Sequence, residues 1–410
     1  MPRPPSLPDD LLEEIFLRLP PDEPENLVRA SLTSMLWFGR LSGRRFRGRY
    51  REHHGAPPMM GFLHTWLEGC GPEDKGPVPH FTPTTKFGAR IPDEWGYSAY
   101  TAWDCRHGRV LLGDANHSSK ALVVWDPITG CRNELPMPYM LGNSHRAAVL
   151  CAVSGCDHRT CHAGPFQVLC VGLYRKAEVD DDCVAHACVS LPETGNWNMQ
   201  CPPWFDSWGE PCRRLHLPDN ARIEPMPPVL VKEALHFMLE YDGDDSVQIL
   251  KYDLSSNSLS LIDAPIVDSD IASASILMVM EDVSSGFAHV DGITLCIWSR
   301  WMGSNRVASW TRRTIIDLRN LLPIQNPEER LILVGSVDDS DTIFVTTDLG
   351  IYEINVKSQQ WKKLWKRENF RALIPYMTGV ARSKGLLALG RPGSGTSYGI
   401  KTLPRTCRKG

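Results

Sequence analysis

Apolar positions along the first fifty residues recur at helical spacing, and from about residue 60 onward the pattern changes to short apolar runs cut by Gly, Pro, Asp, Asn and Ser. In the first segment Leu11, Leu12, Ile15, Phe16 and Leu19 form one stripe opposite Asp10, Glu13, Glu14 and Arg18, which predicts an amphipathic helix. Ser6 followed three residues later by Asp9 has the spacing of a helix-start cap, Pro8 suits a first turn, and Pro20-Pro21 is a stop. Asp22 is the expected cap of a second helix, with Pro24 in its first turn and Leu27, Val28 and Leu32 on one face. Thr33 or Ser34 is positioned to cap a third, which carries Met35, Leu36, Trp37 and Leu41 and ends before Gly43. Helices this short need tertiary partners, and three of them make a module below the size at which a core is comfortably stable alone.

Ala56-Pro57-Pro58 breaks the helical pattern and marks a domain boundary. Beyond it one unit recurs: two apolar strands, a tight polar turn, and a strand containing Trp or Leu. The turn is read at Asp126-Pro127-Ile128-Thr129-Gly130, at Pro192-Glu193-Thr194-Gly195-Asn196, at Asp253-Leu254-Ser255-Ser256-Asn257 and, degraded, at Asn355-Val356-Lys357-Ser358-Gln359. Asp or Asn entering such a turn can accept from backbone N–H groups two residues on, and Gly or Asn suits the left-handed position near its exit. Strands precede the turns at Arg109 to Gly113, Phe166 to Tyr174, Ala234 to Tyr241 and Thr342 to Thr347, and a less regular copy runs from Ile293 to Ile316. The spacings are 67 residues from Asp126 to Glu193, 60 to Asp253 and 102 to Asn355, the last being two units. Repeats of this length with about four strands each predict an all-β propeller of about six blades. The sixth is expected by closure, the strand near Met60 to Leu63 pairing with material beyond Tyr376, so that no long edge stays open. The expected organisation is a helical domain over 5–55, a propeller over 60–390 and a disordered basic tail over 391–410.

Leu7-Pro8-x-x-Leu11-Leu12-x-x-Ile15-Phe16-x-Arg18-Leu19-Pro20-Pro21, then Leu27-x-Arg29-Ala30-Ser31 and Trp37, resembles the F-box family. The third helix departs from the family, with Met35 at a usually basic position and Phe38-Gly39 in place of a more polar pair. The resemblance implies binding of a Skp1-like adaptor and, through it, of a cullin. It places Leu7, Pro8, Leu11, Ile15, Leu19, Pro20, Leu27 and Ser31 at that interface, with aliphatic anchors buried in a groove. Phe370-Arg371-Ala372-Leu373-Ile374-Pro375-Tyr376-Met377, after Trp361-Lys362-Lys363-Leu364-Trp365, resembles the end of the F-box-associated propeller of plant F-box proteins. The loop Cys156-Asp157-His158-x-x-Cys161-His162-x-Gly164-Pro165-Phe166 is similar to proteins of grasses in particular. The implied function is that of a substrate receptor of a Skp1-cullin-F-box ubiquitin ligase, its propeller capturing an unknown protein target. The alternatives are an F-box protein working with a Skp1-like partner outside a ligase, and a propeller enzyme or metal-binding protein with a helical extension.

Composition narrows this little. A net charge of -4 gives no global drive toward nucleic acid or anionic membrane, and neither is expected as a partner. No apolar run reaches the length of a membrane span, and Met1-Pro2-Arg3-Pro4-Pro5 lacks a signal-peptide core, so the expected location is cytoplasm or nucleus. Thirteen cysteines, several inside apolar runs as Cys170 and Cys296 are, read as reduced and buried thiols. Arg44 to Arg51 is the most basic run. Its Phe46 and Tyr50, one helical turn apart, favour a solvated helix packed by its aromatics over a nucleic-acid patch. Cys156, His158, Cys161 and His162 are ligand types that zinc prefers, but adjacent Cys161 and His162 point apart in an extended chain and no Cys-x-x-Cys pair is present. A surface hairpin loop is the simpler reading and zinc the alternative. No nucleophile elbow, phosphate loop or zinc-protease helix occurs, Asp180 to Asp182 and Asp242 to Asp245 read as solvated loops, and neither catalytic residues nor a cofactor are expected.

Overall fold

The computed structural model describes residues 8–41, 43–54, 58–66, 80–91, 100–114, 121–138, 144–153, 165–175, 182–190, 197–199, 215–265, 275–302, 308–338 and 340–377. Ser6, Leu7, the Cys156, His158, Cys161 and His162 cluster, the turn at 191–196 and the tail at 391–410 lie outside them.

Four helices come first: α1 (Asp9–Leu17), α2 (Pro24–Thr33), α3 (Met35–Leu41) and α4 (Arg44–His54). Pro8 is the N-cap of α1 rather than part of its first turn, with an extended ψ of 141°. The helix stops at Leu17, short of the end of the apolar stripe, because the residue before Pro20 is driven away from the helical region. Glu23 takes the N-cap of α2 in place of Asp22. Pro24, with a preset φ and no N–H to satisfy, is best used at the first helical position, and this fixes the residue before it as the cap. Ser34 caps α3, its Oγ accepting from the Trp37 N–H at 3.1 Å. The basic run becomes α4, whose Phe46 and Tyr50 turn inward to join Phe16, Leu17, Leu27 and Leu41 in one small core. Its Arg49 guanidinium is paired with Glu13 and Glu14, and Tyr50 Oη donates to the Leu19 carbonyl at 2.7 Å, so α4 holds the end of α1 in place.

The chain then lays down β1 (Met59–Trp66) and β2 (Phe81–Pro83) before starting the regular blades. The first blade is β3 (Tyr100–Arg106), β4 (Arg109–Asp114), β5 (Ala121–Trp125) and β6 (Arg132–Pro136). The second is β7 (Ser144–Cys151), β8 (Phe166–Arg175) and β9 (Asp182–Ser190), with β10 (Trp197–Met199) and β11 (Leu215–Pro218) sharing its outer edge. The third has a split inner strand, β12 (Ala221–Ile223) and β13 (Val229–Val231), followed by β14 (Ala234–Tyr241), β15 (Asp244–Asp253) and β16 (Ser258–Asp263). The fourth comprises β17 (Ser275–Val279), β18 (Ser285–Asp291), β19 (Thr294–Met302) and β20 (Ala308–Asp317), and leads into the single turn α5 (Leu318–Leu321). The fifth is β21 (Ile332–Val337), β22 (Thr342–Thr347), β23 (Gly350–Asn355) and β24 (Gln360–Trp365). The last strand, β25 (Phe370–Met377), pairs antiparallel with β1, Leu63 opposite Ile374, and completes the sixth sheet in the order β2-β1-β25. Closure is thus made by the strand ending at Met377, not by material beyond Tyr376. Ala372, Leu373 and Ile374 are buried in succession, and this burial on both faces is what fits the strand to an inner position.

The recurring turn is the hairpin between third and fourth strands. Asp126 Oδ1 accepts from the Ile128 N–H at 3.0 Å, Asp253 Oδ1 from Ser255 and Ser256, and Asn355 Oδ1 from Ser358 at 2.8 Å. Gly130, Asn257 and Gln359 take the positive φ near each exit, at 73°, 50° and 54°. Six apolar clusters fill the six junctions between neighbouring blades, so the ring is sealed by face-to-face packing all the way round. Seven cysteines fall among the described residues and none is in a disulfide. Cys170, Cys183 and Cys188 are buried, whereas Cys296 is only half-buried.

Candidate functional site: the helical module and the buried charges of the propeller

The apolar stripe of α1 divides between two jobs. Phe16 and Leu17 are buried and Leu12 and Leu19 half-buried against the module's core, while Leu11 is 51% and Ile15 45% exposed. On α3 the same division recurs. Trp37 packs edge-on against Phe16 with ring centroids 5.0 Å apart, and its neighbours Met35 and Leu36 are 68% and 57% exposed. The Phe16–Trp37 contact sets α1 beside α3, so outward apolar groups are carried on two adjoining helices.

The residues that the F-box resemblance places at an interface therefore separate. Pro8 and Pro20 are exposed at either end of α1, Leu11 and Ile15 project outward, and Leu19 is half-covered. Leu27 and Ser31 are 1% and 2% exposed: they lie inside the module, where they shape its surface without forming part of it. Leu7 lies outside the described residues. Met35 and Leu36 were visible in the sequence only as members of an apolar helix, because spacing reveals a stripe but not which of its members the module's own core covers.

In the propeller, charged residues sit on strands that otherwise read as core. Arg106, at the end of the inner strand β3, donates to Asp338 Oδ2 at 2.7 Å and to the Pro228 carbonyl, and its Nε is 3.3 Å from Asp104. Asp104 Oδ2 also accepts from the Val149 N–H at 2.9 Å, so one buried network ties the first blade to the second, third and fifth. Burial pushes the Asp104 carboxyl up to about 6, against the opposing pull of Arg106. On β25, Arg371 reaches across to the third blade, with its guanidinium 3.0 Å from Glu240 and 3.4 Å from Glu224. Burial and the neighbouring Glu240 raise Glu224 well above the usual carboxylate range, and burial lowers the nearby Arg146 to about 10. Cross-ring pairs of this kind hold opposite blades in register. Their only sequence signal was an isolated charge in an apolar run, as in Phe370-Arg371-Ala372-Leu373.

Around His64 the closing sheet carries a group of rings. His64 stacks on Phe370 at 4.0 Å and on His80 at 5.4 Å, with Trp66 edge-on at 5.1 Å. Burial lowers His64 to about 3, and His236, buried in the third blade, is lowered to about 4 by the same cause. Among the described residues no group of three or more His, Cys, Asp or Glu could hold a metal ion, and no helix is long and apolar enough to cross a membrane.

A four-helix module with outward apolar groups, joined to a closed six-bladed ring, defines an F-box type of architecture, and residues 4–39 match the F-box domain family. Residues 101–378, well over half of the chain, match the family described as F-box protein AT5G49610-like, beta-propeller, and the chain belongs to that family. Among curated proteins none matches. Solved structures similar to the chain include a luciferin-regenerating enzyme, at 10% identity over 70% of this chain and 78% of that one, with a TM-score of 0.35. Others are the WD40 domain of SCAP from fission yeast, at 15% identity over 67% and 57% with a TM-score of 0.31, and an oligogalacturonate lyase from Vibrio parahaemolyticus, at 9% over 75% and 80% with a TM-score of 0.35.

Proposed function

We propose that the chain is the substrate-receptor subunit of a Skp1-cullin-F-box ubiquitin ligase, acting in cytoplasm or nucleus. The observation that carries this reading is the exposure of Leu11, Ile15, Met35 and Leu36 on adjoining helices of a module too small to cover them. Full burial of such a side chain in a partner groove contributes about 1.5–3 kcal/mol, and several together suffice for a stable complex. Leu27 and Ser31 support that surface from inside, and Leu11, Ile15, Met35 and Leu36 make the contact with a Skp1-like adaptor. The propeller captures the protein target, and the chain itself performs no chemistry. Holding a target lysine near activated ubiquitin carried by other subunits replaces catalytic groups with effective concentration.

The test is binding of a purified Skp1-like adaptor to wild type and to Ile15→Asp. Because Ile15 projects outward, the substitution leaves the module's core intact. It places a carboxylate in a desolvated contact, which costs several kcal/mol and weakens binding by about a thousandfold. Undiminished binding by the variant, or none by wild type, sinks the proposal. Affinity capture with and without proteasome inhibition separates a ligase receptor, which accumulates its target when degradation is blocked, from an F-box protein working outside a ligase.

A further inference from the structure

Where the third blade packs on the fourth, a cleft remains. It measures about 230 Å³, its open mouth included, and Val229, Ile249, Ile262, Leu277 and Trp310 supply its walls. Pockets for drug-sized ligands hold about 300–1,000 Å³, so this one suits a smaller molecule. Two charged or titratable side chains interrupt the apolar lining, His236 of β14 and Arg300 of β19. His236 is 6% exposed, and its Nδ1 has no hydrogen-bond partner. A buried ring nitrogen left in that state costs stability that a ligand can restore. Burial keeps the imidazole neutral, and in one of its tautomers Nδ1 carries the proton and can donate.

The charges on this side of the fourth blade do not balance. Arg300 is opposite Trp310 in the ladder and Arg312 opposite Trp298, so the two arginines and two tryptophans share one face of the sheet. Trp310 Nε1 donates to the Asp263 carbonyl at 2.7 Å, which turns that face toward the third blade. Arg312 lies over the Trp298 ring, 5.6 Å from its centroid, and Trp298 Nε1 is buried without a partner. Arg300 is half-buried, burial pushes its guanidinium pKa down, and it is close enough to His236 to disfavour a charge there. From the third blade Lys251, opposite His236, is already neutralised by Asp253 at 3.1 Å. Among the described residues no carboxylate pairs with Arg300 or Arg312. An apolar cleft is thus bordered by positive charge that the protein leaves uncompensated.

We propose that this cleft binds a small organic acid, a single carboxylate carried on a short aliphatic body. The carboxylate pairs with Arg300 and accepts from His236 Nδ1, Arg312 adds a second positive charge on the same face, and the body lies on Val229, Ile249, Ile262 and Leu277. A neutral apolar molecule would leave Arg300 and His236 desolvated and unpaired, and a highly charged anion would have to shed its water against an apolar wall. The site goes beyond the receptor reading and stands independently of it.

The experiment is a saturation-transfer NMR titration of the intact chain with acetate, propanoate, butanoate and pentanoate at fixed ionic strength, with butanamide and butylamine as controls. Expected is binding of the carboxylates alone, tighter by about threefold to fourfold for each added methylene until the cleft is full, and weaker when salt is added. Arg300→Gln lowers pentanoate affinity by about tenfold or more, and His236→Phe and Arg312→Gln lower it by smaller factors. Arg313→Gln leaves it unchanged, because Arg313 turns to the other face of the sheet, where it meets Ser299 and Asp282. Arg312 is exposed, so its variant reads the site even if a substitution at His236 or Arg300 lowers the melting temperature. No binding by any carboxylate, equal binding of the amide or the amine, full affinity in Arg300→Gln and Arg312→Gln, or the same loss in Arg313→Gln overturns the proposal. So does tighter binding of a short peptide ending in Leu than of pentanoate, which assigns the cleft to a chain end. Adaptor binding, measured separately on wild type, reports on the receptor reading alone.

Discussion

The helical module and the propeller differ in how completely each covers its own apolar side chains. Of the large apolar residues left exposed among those described, Leu11, Ile15, Met35 and Leu36 come from the first 41 positions, and the whole propeller contributes only Val283, Trp301, Ile315 and Trp361. The module has six buried core residues shared among four helices, whereas the propeller has a filled cluster at each of its six junctions. Small size limits what a module can bury, and radial closure removes that limit by giving every blade two neighbours. The first region consequently leaves apolar side chains uncovered, which under the proposed function an adaptor covers. Among the described residues the second covers its own apolar side chains almost completely.

The largest effect that tests this contrast is expected at the ring's closure. Phe370 is buried between Phe62, His64 and Trp66, where β25 meets β1. Phe370→Ala leaves a cavity at the junction joining the two ends of the ring and is expected to cost about 3–5 kcal/mol of propeller stability. Adaptor affinity should stay at the wild-type value, since none of the module's core residues touches this site. Loss of adaptor binding in parallel with the fall in melting temperature would show that the two regions are not independent.

Acid is expected to act next most strongly, and on the propeller alone. His64 and His236 are held at about 3 and about 4, below the ordinary value near 6.5, so the unfolded chain takes up protons that the folded one refuses. Their contribution to stability is complete above about pH 6.5 and is lost progressively as pH falls toward 4. Asp104, raised to about 6, and Glu224, raised well above the usual carboxylate range, work in the opposite sense above their unfolded values, because there the folded state holds the extra proton. Burial also lowers His80 and His289, so four histidines stand against two carboxyls and net stability falls. Urea midpoints at pH 7.5 and pH 5 measure this, and His64→Phe should reduce the drop. Equal midpoints at the two pH values would refute it.

The same contrast governs how much could be read from the chain. Blade strands such as Arg109 to Gly113 and Thr342 to Thr347 were legible because burial on both faces writes apolar runs, and because Asp126, Asp253 and Asn355 enter turns that need a side-chain acceptor. The closing strand was displaced by a few residues, since what selects it is pairing with β1 across the length of the domain and not a local signal. Arg371 and Glu224 are separated by 147 residues and meet only when the ring closes, so their pairing had no local trace. In the module the helices were legible, but the cap of α1 moved from Ser6 to Pro8 and that of α2 from Asp22 to Glu23. The inward packing of Phe46 and Tyr50 on α4 was legible too, but not which members of the α1 stripe they would cover, since that depends on how α4 docks.

The smallest effect is the most discriminating for the module. Ser34 Oγ satisfies the Trp37 N–H at the start of α3, and replacing such a cap by alanine costs about 1 kcal/mol. In a large, closed domain that loss would pass unnoticed. In the module it falls on the helix that presents Met35 and Leu36 and that seats Trp37 against Phe16. A module folded only marginally without its partner must take the cost out of binding, so Ser34→Ala should weaken adaptor affinity by about fivefold while the propeller's melting temperature stays unchanged. Ser34→Asp should restore it, because a carboxylate caps as well as a hydroxyl and interacts favourably with the helix N-terminus. Titration of the adaptor against the three proteins, with scanning calorimetry on each, decides the matter. If Ser34→Ala binds as wild type does, the module is stable on its own and its exposed side chains are not there because its core is incomplete.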